Sequence, residues 1–264
     1  MDINRISSCT YPVRELDVEL AFKIMADAGV RKVDLWGNMP QFSLISVACS
    51  LDNLLAKAQA QGVQIANLGS YPGQAFASDN PAVRAAEVSA LKTTLLAAKA
   101  LGARSIRVIP GQGEDPAQID RLVPCFAEGA ELAEQIGVYM GMENHGGSIA
   151  GNPQDALRLC KAVGSKYFGV LYEPANLMHA GVNYEEAFDI FHEYITHIHV
   201  KDGSEGPDGF CRTHLGEGYI DYGWIINNMD SIGYDGDYAL EYEICELEPI
   251  ETGLPRWVEL FKAL

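Results

Sequence analysis

The sequence predicts an α/β protein folded as a single (β/α)8 TIM barrel, and three observations carry that expectation. Short runs rich in β-branched and aromatic residues alternate with longer helical patterns, as in successive βαβ units around a parallel sheet. A chain of 264 residues suits one such barrel and can bury a large core. Polar residues gather where the strand candidates end, which is the rim where barrels of this kind keep their chemistry.

The strand candidates cover residues 5–8, 32–36, 64–68, 105–109, 139–143, 168–172, 196–200 and 238–243. They are apolar on both faces, as buried parallel strands are. Helix starts are legible at Ser50, at Asp79-Asn80-Pro81, at Asn152-Pro153 and at Asn183 with Glu186 three residues on. Glycines mark helix ends at Gly29, Gly62, Gly102, Gly137 and Gly164. Pro124 falls inside the fourth helical pattern and predicts a kink or a broken helix. Residues 203–222 carry no clear element and read as a long loop on the active rim, holding Arg212, His214 and the glycine-rich GEGYIDYG. No linker or low-complexity tract divides the chain, so residues 1–264 are expected to form one domain. A doubly wound open sheet is the competing architecture, but SSCTYPVREL stands where its phosphate loop belongs.

Composition limits the partners. Nineteen Lys and Arg against 36 Asp and Glu leave a formal charge of −17, which argues against nucleic acid or an anionic membrane surface. The six cysteines are scattered without a CxxC pair and read as reduced thiols in a cytoplasmic protein. The residues around Asp2 and Arg5 form no apolar leader, and no apolar run approaches membrane-spanning length. A soluble chain acting on a small molecule is expected, with association into a homo-oligomer through rim loops left open.

Four successive strand candidates end on a residue that can bind a metal: GMENHG at Glu143, GVLYEPAN at Glu173, HIHVKD at His199 and YALEYE at Glu241. One ligand per βα unit is how a barrel assembles a metal site on one rim. Charged residues abutting buried strands are costly unless paired or bound to a cation. Ion pairs with Arg or Lys are the competing reading of each glutamate, weakened by the regular succession of four. Three carboxylates and an imidazole make a mostly hard set that favours one divalent ion, Mn2+ first, with Mg2+, Co2+ or Zn2+ as alternatives. His197 and His199 point to one side of their strand, and His199 lies nearer the C-terminal end, so it is the better ligand and His197 a core histidine.

Other residues could contact a substrate. His145, two past Glu143, is a candidate general base or hydroxyl contact, against a plain bracing role. Lys201 and Arg212 could bind substrate oxygens or offset the carboxylates, and Glu243 reads as a supporting or surface group. Trp36 and Tyr71 could wall a sugar-sized pocket, against ordinary packing. No P-loop, dinucleotide turn or nucleophile elbow is present, the nearest elbow being Gly146-Gly147-Ser148-Ile149-Ala150.

Taken in order, ENHGG, LYEPANL, HIHVKD, HLGEGYIDY and ALEYE resemble the xylose isomerase-like sugar phosphate isomerase/epimerase superfamily, which includes relatives of tagatose 3-epimerase and inosose dehydratase. By that resemblance, a divalent metal is held by Glu143, Glu173, His199 and Glu241, and Glu143 and Glu241 are the acid/base pair. Two positions depart from the epimerases of that group. Glu173 replaces an aspartate, and Asn176 replaces a histidine and becomes a substrate contact that cannot shuttle a proton.

The implied chemistry is enolisation, in which a metal chelating a carbonyl and its neighbouring hydroxyl acidifies the carbon-bound proton. The function expected is a metal-dependent isomerase or epimerase acting on a small sugar, keto-sugar or cyclitol. The alternative is a metal-dependent lyase or dehydratase on a 3-keto-sugar, keto-glycoside or inosose, with His145 as a candidate base. A DNA-repair nuclease of the endonuclease-IV type is disfavoured by six histidines and the charge of −17. An inactive barrel that binds a sugar or a partner is the remaining competitor, suggested by Glu173 and Asn176.

Overall fold

The computed structural model of the chain describes residues 1–46, 49–207 and 209–264. Eight parallel strands close into a barrel: β1 (Ile6–Cys9), β2 (Lys32–Trp36), β3 (Gln64–Gly69), β4 (Ser105–Val108), β5 (Tyr139–Glu143), β6 (Phe168–Tyr172), β7 (Ile195–Val200) and β10 (Tyr238–Leu240). Their spatial order follows the chain, β10 pairing with both β7 and β1. The expected fold class is therefore the one found. Strand bounds match the expectation to within a residue except at the last strand, which stops at Leu240 and leaves Glu241–Glu243 in the loop that follows.

By compactness the chain divides into two units, residues 1–66 with 198–264, and residues 67–197. In the first, β1 pairs with β10 from Ile6 opposite Tyr238, and α1 (Val18–Asp27) packs on α2 (Leu51–Gln61) and on the helix Ile250–Lys262. Its core is aromatic, with Tyr238 and Phe261 centroids 5.5 Å apart and Tyr242 meeting Trp257 edge-on at 4.9 Å. In the second, α3 (Pro81–Leu101) packs on α4 (Ile119–Ile136) and α4 on α5 (Pro153–Val163). Phe126 links this layer to the strands, touching Phe76 at 5.0 Å and Phe168 of β6 at 4.6 Å. Rings at these separations add to the area that they bury.

The helix signals read from the sequence hold in both units. Ser50 accepts from the Asn53 amide, Asn80 from Ala82, Asn152 from Gln154 and Asp155, and Asn183 from Glu185 and Glu186. Gly62, Gly102, Gly137 and Gly164 close their helices in the left-handed region.

Two expectations are corrected. Of the two outcomes expected at Pro124, the break does not occur: helix α4 runs through it from Ile119 to Ile136. The missing N–H would have bonded the Asp120 carbonyl one turn back, and both residues are exposed, so that turn of the helix is open to solvent. Residues 203–222 are not without structure: β8 (Asp202–Gly206) and β9 (Gly209–Thr213) form an antiparallel hairpin. Short strands with little apolar alternation hide from pattern reading, although Pro207-Asp208-Gly209 is a turn sequence.

All six cysteines are free. Among the described residues, no helix is long and apolar enough to cross a membrane.

Candidate metal centre

Strand ends position the site residues. Glu143 closes β5, where it is buried, and its Oε2 accepts from Arg107 Nη1 of β4 at 2.9 Å. The same guanidinium donates from Nε to the Ser70 carbonyl and lies 4.2 Å from the Tyr71 ring centroid. Tyr71 thus meets Glu143 through one arginine. Glu173 follows β6 and precedes the short helix α6 (Pro174–His179), with no exposed surface. Its Oε2 accepts from Asn176 Nδ2 at 2.8 Å, one helical turn away. Asn144 holds its backbone. His145 is exposed, and its Nδ1 lies 2.7 Å from the Gly146 carbonyl. A proton on Nδ1 there leaves Nε2 as the acceptor.

His199 lies in β7, and Glu241 follows β10. His199 Nε2 is 2.8 Å from Asp34 Oδ2, and its Nδ1 is 3.6 Å from Glu241 Oε2. Burial disfavours the charged imidazole, yet Cys9, Glu241 and Asp34 outweigh it and push His199 well above its usual range. Burial would likewise raise the Glu241 carboxyl, but Lys201 and His199 hold it well below the carboxylate range. Lys201 is buried just past β7 and donates to Glu241 Oε2 at 2.9 Å and Glu243 Oε2 at 2.8 Å. Arg212 of β9 reaches Glu243 at 2.9 Å. The offsetting role of both cations is therefore present. Trp36 ends β2, half-buried, with its ring edge-on to Tyr11 at 6.2 Å.

The loop after β7 is organised by Asp202, the last residue of HIHVKD, to which strand-end reading assigned no role of its own. Fully buried, it accepts from the amides of Gly203, Gly216, Gly218 and Ile220. Burial raises its carboxyl, opposed by those four hydrogen bonds. A Cβ on Gly218 would overlap the carboxylate, so the glycine is required there.

One ligand atom from each of Glu143, Glu173, His199 and Glu241 lies within 4.8 Å of the others. Three buried carboxylates and an imidazole with that spacing are a chemically fitting set for a hard divalent cation. Of the remaining expected site residues, Lys201 contacts Glu241, Asn176 contacts Glu173, and Arg212 meets Glu243. Sequence reading missed Asp34 and Arg107, and it placed Asn144 and Cys9 at strand ends without assigning them a role. Asp34 did carry a signal, a carboxylate inside the apolar run VDLW, the same anomaly that marked the glutamates.

Comparison with known proteins agrees with this fold. The profile of the family described as xylose isomerase-like TIM barrel matches residues 22–264. Among solved structures, the chain is similar to the probable 3-DHS dehydratase AsbF, involved in petrobactin synthesis, from Bacillus anthracis (TM-score 0.76, 16% identity, 98% of both chains). It is also similar to the IolI protein with a bound zinc atom (TM-score 0.77, 17% identity, 98% of this chain and 95% of that one). A D-tagatose 3-epimerase-like protein gives a TM-score of 0.77 at 19% identity over 98% of both chains. At such identities these likenesses show the shared fold. An uncharacterised protein of Methanocaldococcus jannaschii is 26% identical over 176 residues, 62% of this chain and 59% of that protein's length.

Proposed function

The chain belongs to the xylose isomerase-like TIM-barrel family, and from that premise we propose that it is a metal-dependent isomerase or epimerase that moves a proton next to a carbonyl of a small sugar, keto-sugar or cyclitol. The observation that carries the reading is the buried donor set of Glu143, Glu173, His199 and Glu241, gathered within 4.8 Å. These four residues would hold one divalent ion, Mn2+ by preference, while the zinc atom in the IolI structure keeps Zn2+ among the candidates. When bound, the ion supplies Lewis-acid polarisation of the substrate carbonyl.

The protein's own groups do the rest. Glu241, held anionic by Lys201 and His199, can accept a carbon-bound proton, and its conjugate acid returns one readily. Glu143, oriented by Arg107, is the partner for the opposite face or the neighbouring carbon. Trp36, Tyr71 and Asn176 are the substrate contacts of this reading, and Lys201 donates a hydrogen bond to Glu241. A cytoplasmic setting belongs to the same proposal, supported by six cysteines without a pairing pattern.

A second reading, elimination from a keto-glycoside or 3-keto-sugar, draws on one feature. A cavity of about 680 Å3 is lined by Tyr71, Gln74, Gln112, Gln118 and Arg121, and it starts one arginine away from Glu143. It has room for a group attached to the sugar, and exposed His145 is the candidate base for that branch.

Purified protein loaded with Mn2+ and incubated in D2O with ketoses, keto-sugars, inososes and 3-keto-glycosides tests both readings. Deuterium next to the carbonyl is expected, with the products separating epimerase, isomerase and lyase. No exchange with any compound, together with no metal by elemental analysis, would overturn the enzyme reading. Glu241→Gln is expected to abolish turnover.

A further inference from the structure

We propose that Asp34 is a positioning residue for this site: by accepting the Nε2–H of His199 it commits the imidazole to the tautomer whose Nδ1 lone pair is left for a cation. The inference rests on the metal reading above. His199 on β7 and Asp34 on β2 are each 3% exposed, and Nε2 stands 2.8 Å from Oδ2. That is the length of a charge-assisted hydrogen bond. The opposite nitrogen is 3.6 Å from Glu241 Oε2. This is too long for a hydrogen bond, but it suits two donors flanking one ion, which sit roughly 3 Å or more apart when each is about 2.1 Å from the metal.

Cys9 complicates the picture and then sharpens it. Its Sγ, an Asp34 oxygen and a His199 nitrogen also lie within 4.8 Å of one another, a spacing that would suit a second metal. The 2.8 Å between Nε2 and Oδ2 decides against that use, because two ligands of one ion stand farther apart than a hydrogen-bonded pair. Cys9 lies opposite Asp34 in the β1–β2 register, and with Cys9 and Asp34 both buried the carboxylate is kept from water. An Asp–His contact sealed in this way has strength and direction, the two properties that fix a ligand's tautomer and ring plane.

A neutral isostere should therefore do more damage than its size suggests. In Asp34→Asn the amide can present N–H to Nε2, which turns that nitrogen into an acceptor and moves the ring proton to Nδ1. The metal-facing atom is then blocked while the shape is kept, the same consequence that an Asp→Asn change has on a triad histidine.

The test is a Mn2+ titration followed by the EPR signal of the free ion, on wild type, Asp34→Asn and Asp34→Glu, with imidazole 15N spectra of the metal-free proteins at alkaline pH. Asp34→Asn is expected to weaken Mn2+ binding about 10–100-fold and to shift the His199 proton from Nε2 to Nδ1. Asp34→Glu, which keeps the carboxylate, is expected to retain more of the affinity. Unchanged affinity in a folded Asp34→Asn protein would overturn the proposal, and so would a wild-type His199 carrying its proton on Nδ1. Should wild type bind no Mn2+, the metal reading fails, and the wild-type 15N spectrum still decides the role of Asp34. Should Asp34→Asn not fold, that same spectrum decides.

Discussion

Asn144 grips the backbone of Glu173 from both directions. Its Nδ2 donates to the Glu173 carbonyl at 2.7 Å and its Oδ1 accepts from the Glu173 amide at 2.7 Å, with no exposed surface on either residue. A side chain from the loop after β5 thereby stands in for a strand partner exactly where β6 ends, and the direction of Glu173 depends on it. Asn144→Ala leaves the buried Glu173 amide without this partner, at about 1–3 kcal/mol, while the Glu173 carbonyl keeps the longer bond from the Leu177 amide at 3.4 Å. A fall of about 1–3 kcal/mol in urea-unfolding stability is expected, together with weaker Mn2+ retention. A variant with the wild-type midpoint would contradict this.

Lys201 lies between two carboxylates. Lys201→Met leaves Glu241 and Glu243 without their shared cation, and removing one partner of a buried pair costs about 3–5 kcal/mol. Thermal melts of the metal-free variant should show that loss, and added Mn2+ should restore part of it, since a bound ion brings positive charge back beside Glu241. Equal melting of variant and wild type without metal would argue that the pair carries little stability.

The metal-free protein should respond to pH through His199. Its folded-state value lies well above 6.5, so the folded protein holds the proton more tightly than the unfolded chain does. The stabilisation is fully present below about pH 6.5 and is lost as pH rises through the folded value. Denaturation series across that window should slope downward for wild type and flatten for His199→Gln. Apparent Mn2+ affinity should move the opposite way, rising with pH as the competing proton leaves.

Glu173→Asp shortens one ligand by a methylene group while Asn144 keeps the backbone in place. If residue 173 binds the ion, affinity for Mn2+ must change. An unaltered titration would remove Glu173 from the ligand set.

Gly169 leaves no room for a side chain. A Cβ there would overlap the Tyr194 backbone oxygen and crowd Thr196. Gly169→Ala is expected to lose at least about 1–3 kcal/mol, the usual cost of overpacking, read as a lower unfolding midpoint.

Much of this was legible in local pattern. Strand ends at Glu143, Glu173 and His199, and caps at Asn152 and Asn183, follow from apolar runs and from residues that bond their own neighbouring amides. Such interactions span a few positions, so a linear reading can find them. The break expected at Pro124 did not form, because the effect of a proline depends on whether the freed carbonyl can reach solvent, which is a matter of exposure. The β8–β9 hairpin escaped because its strands are polar and lack the alternation that marks a buried face.

Patterning along the chain specified the number and order of the βα units, the barrel class and the residues able to bind a metal, because periodicity and capping are local properties. Which cation faces which carboxylate, Arg107 with Glu143 or Lys201 with Glu241, was decided only when the strands paired in register. So was the contact of Asp34 with His199, 165 positions apart in the chain. Those pairings depend on distances of about 3 Å between side chains from different strands, and no spacing in a linear sequence encodes them.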